Sequence, residues 1–328
     1  MKNWSYHMDC RHNWTREEIR SIHDMPLLAL IYRAASVHRQ NPQADQVQIC
    51  SLLSIKTGGC SEDCKYCPQS ARYNTGVEPQ ALMQEEEIVS FAEQSVKNGA
   101  TRICLGAAWR GVREGPQFER ILRGIARAKA LGVEVCCTLG MITPSQASRL
   151  KEAGLYAYNH NLDTSKEYYP SIITTRTYED RLKTLDAVEE AGISVCCGGI
   201  IGMGESIEDR VALLHVLASR KAHPGSVPIN TLIATKGTPL EEQKPVPIWD
   251  LVRMIATARI IMPQTMIRLS AGRDGRSLEE QALCFLAGAN SIHSGEKLLT
   301  SPTFGFDADH EMLRLLGLTP LPAFKAVP

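Results

Sequence analysis

Thr101-Arg102-Ile103-Cys104-Leu105-Gly106-Ala107 leads into a helical run from Pro116 to Ala130, and that run leads into Val133-Glu134-Val135-Cys136-Cys137-Thr138-Leu139. The outer pieces read as strands and the middle piece as a helix that ends at Gly132. A strand, a helix and a second strand of the same kind form the repeating unit of a parallel sheet. The unit recurs in both directions. Further strands are predicted at 47–55, 155–162, 193–201, 227–234, 266–271 and 291–293. Helices are predicted between them at 85–97, 145–153, 178–190, 207–220, 248–261 and 278–287, with a last one at 309–316. Eight strands alternating with eight helices predict a (β/α)8 TIM-type barrel, with a doubly wound open sheet as the alternative. Ahead of it, residues 1–45 read as an N-terminal helical extension. Thr15 and Glu18 form a capping box there, and a second helix starts near Pro26. The barrel is assigned to 46–318 and a short tail to 319–328.

Strand side chains alternate between faces, and the outer face of a parallel barrel must be apolar to pack under helices. In the quoted strands Ile103, Leu105, Val133, Val135 and Cys137 take the outer face. Arg102, Cys104, Glu134 and Cys136 then point inward. The same parity sends Cys196, Asn230 and Arg268 inward and Cys197 outward, and it puts Asn159, Asn161 and Asp163 on one face. Three inward thiols on three strands, Cys104, Cys136 and Cys196, meet an inward Arg268. A buried arginine needs a partner, so the group reads better as a metal cluster site than as three core cysteines.

The loop after the first strand carries a second thiol set. Gly58-Gly59-Cys60-Ser61-Glu62-Asp63-Cys64-Lys65-Tyr66-Cys67 spaces its cysteines C-x3-C-x2-C. Three thiolates on a loop can hold three irons of a cubane cluster and leave the fourth iron open to a ligand. A zinc knuckle is the alternative, but zinc closes with four ligands and no fourth Cys or His follows nearby. The chain's 36 basic and 36 acidic residues give a formal net charge of zero, which argues against nucleic-acid or anionic-membrane binding. No apolar run approaches a spanning helix, and Met1 to His7 lacks a signal segment, so a cytoplasmic protein is expected. Eleven cysteines in that setting suggest metal or redox chemistry rather than disulfides.

The cysteine loop, with Tyr66 before its last cysteine, resembles the radical S-adenosylmethionine superfamily. Further stretches narrow the likeness: Lys56-Thr57-Gly58-Gly59-Cys60, Asp63 to Ser70, Tyr158-Asn159-His160-Asn161-Leu162-Asp163-Thr164, Thr174 to Tyr178, Val227 to Asn230, and Arg268-Leu269-Ser270-Ala271-Gly272-Arg273. Together they resemble the biotin synthase family from about Leu27 to Leu318. The resemblance implies a homodimeric sulfurtransferase that inserts sulfur into dethiobiotin. It implies a 4Fe–4S cluster on Cys60, Cys64 and Cys67, whose open iron chelates S-adenosyl-L-methionine and yields a 5′-deoxyadenosyl radical. It also implies a sulfur-donating 2Fe–2S cluster on Cys104, Cys136, Cys196 and Arg268. Tyr66, Asn161, Asp163, Arg181 and Ile200 would contact S-adenosylmethionine, and Asn161, Asn230 and Arg268 the substrate. A flavodoxin- or ferredoxin-like protein would supply electrons. The glycine-rich stretch Gly198 to Glu205 would admit the adenosyl group, or else is a strand exit. Arg181 would bind a carboxylate, or else form a helix-surface ion pair. The superfamily's Gly-Gly-Glu motif is absent: Gly106-Ala107-Ala108-Trp109 stands there. Cys10, Cys50 and Cys284 match no ligand role and read as structural. Another radical enzyme of the subfamily, with a different small substrate, is the alternative.

Overall fold

A parallel sheet must cover both of its faces, and this chain does so by closing the sheet on itself under a ring of helices. The computed structural model describes residues 10–295 and 297–322. The staves are β1 (Gln46–Lys56), β2 (Arg102–Ala107), β3 (Glu134–Thr138), β4 (Ala157–Asn159), β5 (Ser194–Cys196) with β6 (Gly199–Ile201), β7 (Ser226–Thr231), β8 (Met266–Leu269) and β9 (Ser291–His293). Every neighbouring pair is parallel. β9 returns to β1 through Gln48 opposite Ser291 and Cys50 opposite His293, which closes the barrel. The fifth stave, expected as one strand, is two short ones. β5 pairs with β7 only at Cys196 opposite Ser226, and β6 resumes the pairing from Gly199. Thr319–Pro320, in the expected tail, pairs in parallel with Gln46 and Val47. The expectation of no signal segment at Met1 to His7 lies outside the described residues.

Helices α1 (Arg16–His23) and α2 (Leu27–His38) precede the barrel. Around it run α3 (Glu85–Lys97), α4 (Pro116–Lys129), α5 (Pro144–Glu152), the short α6 (Tyr169–Ile172), α7 (Tyr178–Glu190), α8 (Ile207–Ala218), α9 (Ile248–Ile261), α10 (Leu278–Leu286) and α11 (Phe306–Leu315). Several of their starts are set by side chains that accept orphan backbone N–H groups. Capping boxes form at Thr15, Thr143, Thr177, Ser206 and Ser277. α1 packs on α8 and α9, and α2 packs along α9. Arg253 of α9 donates to the Met25 carbonyl at 2.8 Å and fixes that docking.

Two separate apolar regions result. The large core lies between strands and helices and contains Cys137, Cys197 and Cys284. The lumen holds a distinct cluster of Cys50, Cys104, Cys136, Ala157 and Cys196. The parity of β3 and β5 is therefore as the sequence indicates.

The α2 docking leaves a pH signature. His38 is 6% exposed, and Nε2 is 3.0 Å from the Ala44 carbonyl oxygen. Burial, with help from Arg259, lowers its pKa to about 4. The unfolded chain, with a pKa near 6.5, binds that proton over a range where the folded chain does not. The stabilisation is whole above pH 6.5 and is lost as pH falls toward 4. Urea unfolding at pH 4.5 and pH 7 should show about 2–3 kcal/mol lost through this group. His38→Gln should remove that part of the pH dependence, and an unchanged slope would refute the assignment.

Candidate functional site at the C-terminal end of the barrel

The cysteine loop leaves β1 through Gly58 and Gly59, at φ 68° and 65°, a region that suits glycine. A Cβ on Gly58 would also meet the Glu78 carbonyl oxygen at 3.1 Å. The loop is tied to itself by Cys60 N–H to the Gln69 carbonyl, 3.0 Å, and Ala71 N–H to the Cys60 carbonyl, 2.7 Å. A remote segment also anchors it. The Asp63 carboxylate accepts from the N–H groups of Thr174 and Thr175 at 2.9 and 3.2 Å and from both hydroxyls. Burial opposes ionisation of Asp63, but these donors outweigh it and hold its pKa at about 2. Beside it Glu62, 2% exposed, pairs with Arg110 at 2.7 Å and Arg176 at 3.2 Å. Arg176 also reaches within 3.7 Å of Cys64 Sγ. Burial raises the Cys64 pKa to about 11 against the pull of Arg176 and Arg181, and raises that of Cys67 to about 12.

Tyr66, Asp163 and Arg181 meet in one buried group. The Tyr66 hydroxyl donates to Asp163 Oδ2 at 2.8 Å, and Arg181 pairs with the same oxygen. Arg181 Nε donates to the Tyr169 hydroxyl at 3.0 Å. Arg181 is thus no surface ion pair: it is 4% exposed and faces a 2% exposed carboxylate. Asp163 has φ 69° and bridges Gly199 across the break in the fifth stave. Its carbonyl accepts from Ile200 N–H at 2.8 Å, so Ile200 is placed by this same hub.

The two asparagines differ. Asn161 Oδ1 accepts from Asn159 Nδ2 at 3.0 Å and Gly198 N–H at 3.1 Å, which leaves its NH2 for a ligand. Asn230 donates to the Gly199 carbonyl at 2.9 Å and accepts from Ala271 N–H at 3.1 Å. It clamps two strand ends and keeps one N–H and one lone pair to offer. Gly198 and Gly199 have a structural reason. A Cβ on Gly198 would fall 1.9 Å from the Pro228 carbonyl oxygen, and one on Gly199 2.6 Å from that of Asp163. The N–H groups of Gly202 and Met203 are taken by Glu205, at 2.9 and 2.8 Å. The glycine-rich stretch is therefore a tightly packed strand exit whose Gly202 and Met203 N–H groups are satisfied from within, while Ile200 lines the cavity.

Deeper in the lumen Cys104 and Cys136 sit opposite each other on β2 and β3, and Cys196 stands on β5. Thiol hydrogen bonds from Cys136 lower the pKa of Cys104 and Cys196, and Cys136 is raised in turn. Arg268, 1% exposed, donates to Ser291 Oγ at 2.9 Å and Gln48 Oε1 at 3.1 Å, and lies 3.7 Å from Cys196 Sγ. Among the described residues it has no carboxylate partner, so the sulfurs are its only anionic neighbours. At the strands' N-terminal ends Arg102 and Glu134 form a buried pair at 2.6 Å. Gln48 Nε2 adds a contact at 3.3 Å and completes a floor. Sequence reading set Cys50 aside as structural and did not single out Gln48, Arg176, Ser291 or His293. Parity applied to Gln48-Ile49-Cys50 and Ser291-Ile292-His293 would have found four of them.

One cavity of about 340 Å³ links the two thiol sets. It is lined by Cys60, Cys64 and Cys67 at one end and by Cys104 and Arg268 at the other, with Asn161, Asp163, Arg181, Ile200 and Asn230 along its walls. One buried nitrogen on its wall, His160 Nε2, lacks a hydrogen-bond partner among the described residues. Burial, reinforced by Arg181 and Arg176, keeps His160 neutral. Such an unsatisfied group suits a bound ligand. Cys60, Cys64 and Cys67 have no fourth Cys or His close by in sequence to close a zinc site. A cluster spreads its thiolates over several irons, so the donor sets fit clusters better than a zinc knuckle.

Residues 54–217 match the family model of the radical SAM superfamily, and residues 228–319 match the Biotin and Thiamin Synthesis associated domain. With the cysteine loop at the C-terminal end of a closed barrel, these matches define a radical S-adenosylmethionine enzyme. The mitochondrial biotin synthase of Arabidopsis thaliana is 60% identical, covering 95% of this chain and 83% of that protein. The biotin synthase of Cytophaga hutchinsonii is 58% identical, covering 97% and 94%. The chain belongs to the biotin synthase family. A solved methylornithine synthase shares the fold, with TM-score 0.79 at 19% identity over 94% of each chain. So does the FeFe-hydrogenase maturase HydG from Carboxydothermus hydrogenoformans, at 0.79 and 17%, covering 96% of this chain and 77% of that one.

Proposed function

We propose that this chain inserts sulfur into dethiobiotin to form biotin, as a sulfurtransferase using S-adenosyl-L-methionine. The observation that carries the reading is the single cavity joining the two thiol sets, which lets one small molecule touch both. Cys60, Cys64 and Cys67 would hold the 4Fe–4S cluster, and Cys104, Cys136, Cys196 and Arg268 the 2Fe–2S cluster. When bound, these groups and S-adenosylmethionine supply the electron, the 5′-deoxyadenosyl radical and the sulfur.

The protein's own part is position and exclusion. Asp163, fixed by Arg181 and Tyr66, presents its second carboxylate oxygen on the S-adenosylmethionine side of the cavity, near Ile200. The Asn161 NH2 and the spare N–H and lone pair of Asn230 suit a ureido group, which both donates and accepts. Arg268 closes the inner end of the substrate site. Burial of these groups keeps water from a reactive carbon radical, and fixed placement lowers the barrier further. The carbonyls of Ala107 and Ala108 already accept from Trp109 N–H at 2.8 Å and Lys56 Nζ at 3.3 Å, so each has one lone pair left for the cofactor's amino group. A cytoplasmic setting and electrons from a flavodoxin- or ferredoxin-like protein belong to the same proposal. So does a homodimer, which exposed Leu28 and Tyr32, one turn apart on α2, support.

The test is an anaerobic assay of reconstituted protein with S-adenosylmethionine, reductant and dethiobiotin, read by mass spectrometry. Biotin together with 5′-deoxyadenosine is expected. Deoxyadenosine without biotin, with both clusters present, would overturn the substrate and keep the radical chemistry.

A further inference from the structure

Four sulfurs meet in the lumen, one more than the proposed ligand set uses. Cys50 on β1 is fully buried in the cluster of Cys104, Cys136 and Cys196. A core cysteine of the ordinary kind packs among aliphatic side chains, as Cys137 and Cys197 do. Cys50 shares both polar partners of Arg268 instead. Its Sγ lies 3.5 Å from Gln48 Oε1 and 3.8 Å from Ser291 Oγ. Arg268 reaches those same atoms at 3.1 and 2.9 Å, while its other edge faces Cys196 at 3.7 Å. The sulfur and the guanidinium therefore border one spot.

We propose that Cys50 is a replacement fourth ligand of the second cluster, taking the iron position of Arg268 when the guanidine leaves it. This rests on the reading that the lumen holds a two-iron cluster. A guanidine binds metal only as the neutral base and returns to guanidinium when free, whereas a thiol must lose its proton to bind. The exchange balances. One iron–nitrogen bond breaks, one iron–sulfur bond forms, and the Cys50 proton passes to the guanidine through the Ser291 hydroxyl, which touches both. No electron moves. The freed guanidinium then remains beside the sulfurs as a counter-charge, so the iron keeps four ligands without adding uncompensated charge to the lumen.

The experiment compares wild type, Arg268→Ala, Cys50→Ser and the double variant as full chains reconstituted anaerobically. Iron and sulfide content, visible absorbance and Mössbauer spectra are the readouts, and the four-iron cluster of the same chain serves as the folding control. Arg268→Ala should keep the two-iron cluster with an all-sulfur spectrum, and Cys50→Ser should match wild type. The double variant should hold the two-iron cluster at least about tenfold less well, the scale on which supporting groups affect metal affinity. Should the loss of a cation unfold the barrel, Arg268→Lys with and without Cys50→Ser repeats the comparison. Equal retention in single and double variants would overturn the proposal, as would loss of the cluster from the Arg268 variant alone. Wild-type protein that takes up only the four-iron cluster would refute the reading beneath it instead.

Discussion

Cys136→Ala should abolish the absorbance of the proposed two-iron cluster, and Cys137→Ala should leave it intact. The two sulfurs are one residue apart and both fully buried, so burial and composition cannot separate them; only the strand's facing does. Cys136 packs with Cys104 and Cys196 in the lumen, whereas Cys137 packs in the large core between strands and helices. Losing one of three thiolates that converge on one cluster leaves an iron undercoordinated, and the two-iron signal should fall to background. Removing Cys137 trims a small buried group and costs about 1 kcal/mol of packing. Cys196→Ala and Cys197→Ala should repeat the contrast. Iron and sulfide analysis of the four reconstituted variants decides it. Loss of the cluster in Cys137→Ala alone would place β3 one residue out of register.

Asp163→Asn should be the most damaging single substitution outside the cysteines. Asparagine tolerates the left-handed backbone at this position, so the change isolates the charge. Arg181, 4% exposed, would keep its own charge with no carboxylate opposite. Breaking a buried pair from one side typically costs about 3–5 kcal/mol. The Tyr66 hydroxyl would also lose its anionic acceptor beside Cys67, and S-adenosylmethionine binding should weaken with it. Arg181→Met combined with Asp163→Asn should recover much of the stability, because neither charge is then stranded. Urea unfolding of the four proteins in the cycle, with calorimetric titration of S-adenosylmethionine, measures both effects. A single-variant loss below about 0.5 kcal/mol, within the range of ordinary surface changes, would show that the pair holds nothing in place.

Whatever repeats locally was readable from the chain. Strand alternation separated Cys136 from Cys137 and Cys196 from Cys197, and the Thr15–Glu18 capping box marked the start of the first helix. Contacts between remote segments left no such trace. Asp63 is held by Thr174 and Thr175, more than a hundred residues away, and no periodicity announces that clamp. Arg181 read equally well as a surface ion pair, because its partner arrives through the loop after β4. The glycines at 198 and 199 were legible as permissive positions, but the carbonyls of Pro228 and Asp163 that crowd them come from other segments. Cys50 was set aside as structural because it matched no ligand role, although Gln48 and Cys50 alternate with Ile49 as cleanly as any inward pair. The split fifth stave follows from the same crowding at Gly198.

Among the described residues, the Arg102–Glu134–Gln48 floor closes the lumen at the strands' N-terminal ends, and the cavity lies at the other end. Under the proposed function, traffic through such a vessel would be last in, first out. A substrate resting against Arg268 would enter before S-adenosylmethionine settled above it, and the spent nucleoside and methionine would depart before the product could. Dethiobiotin should therefore behave as the leading reactant and biotin as the last species released.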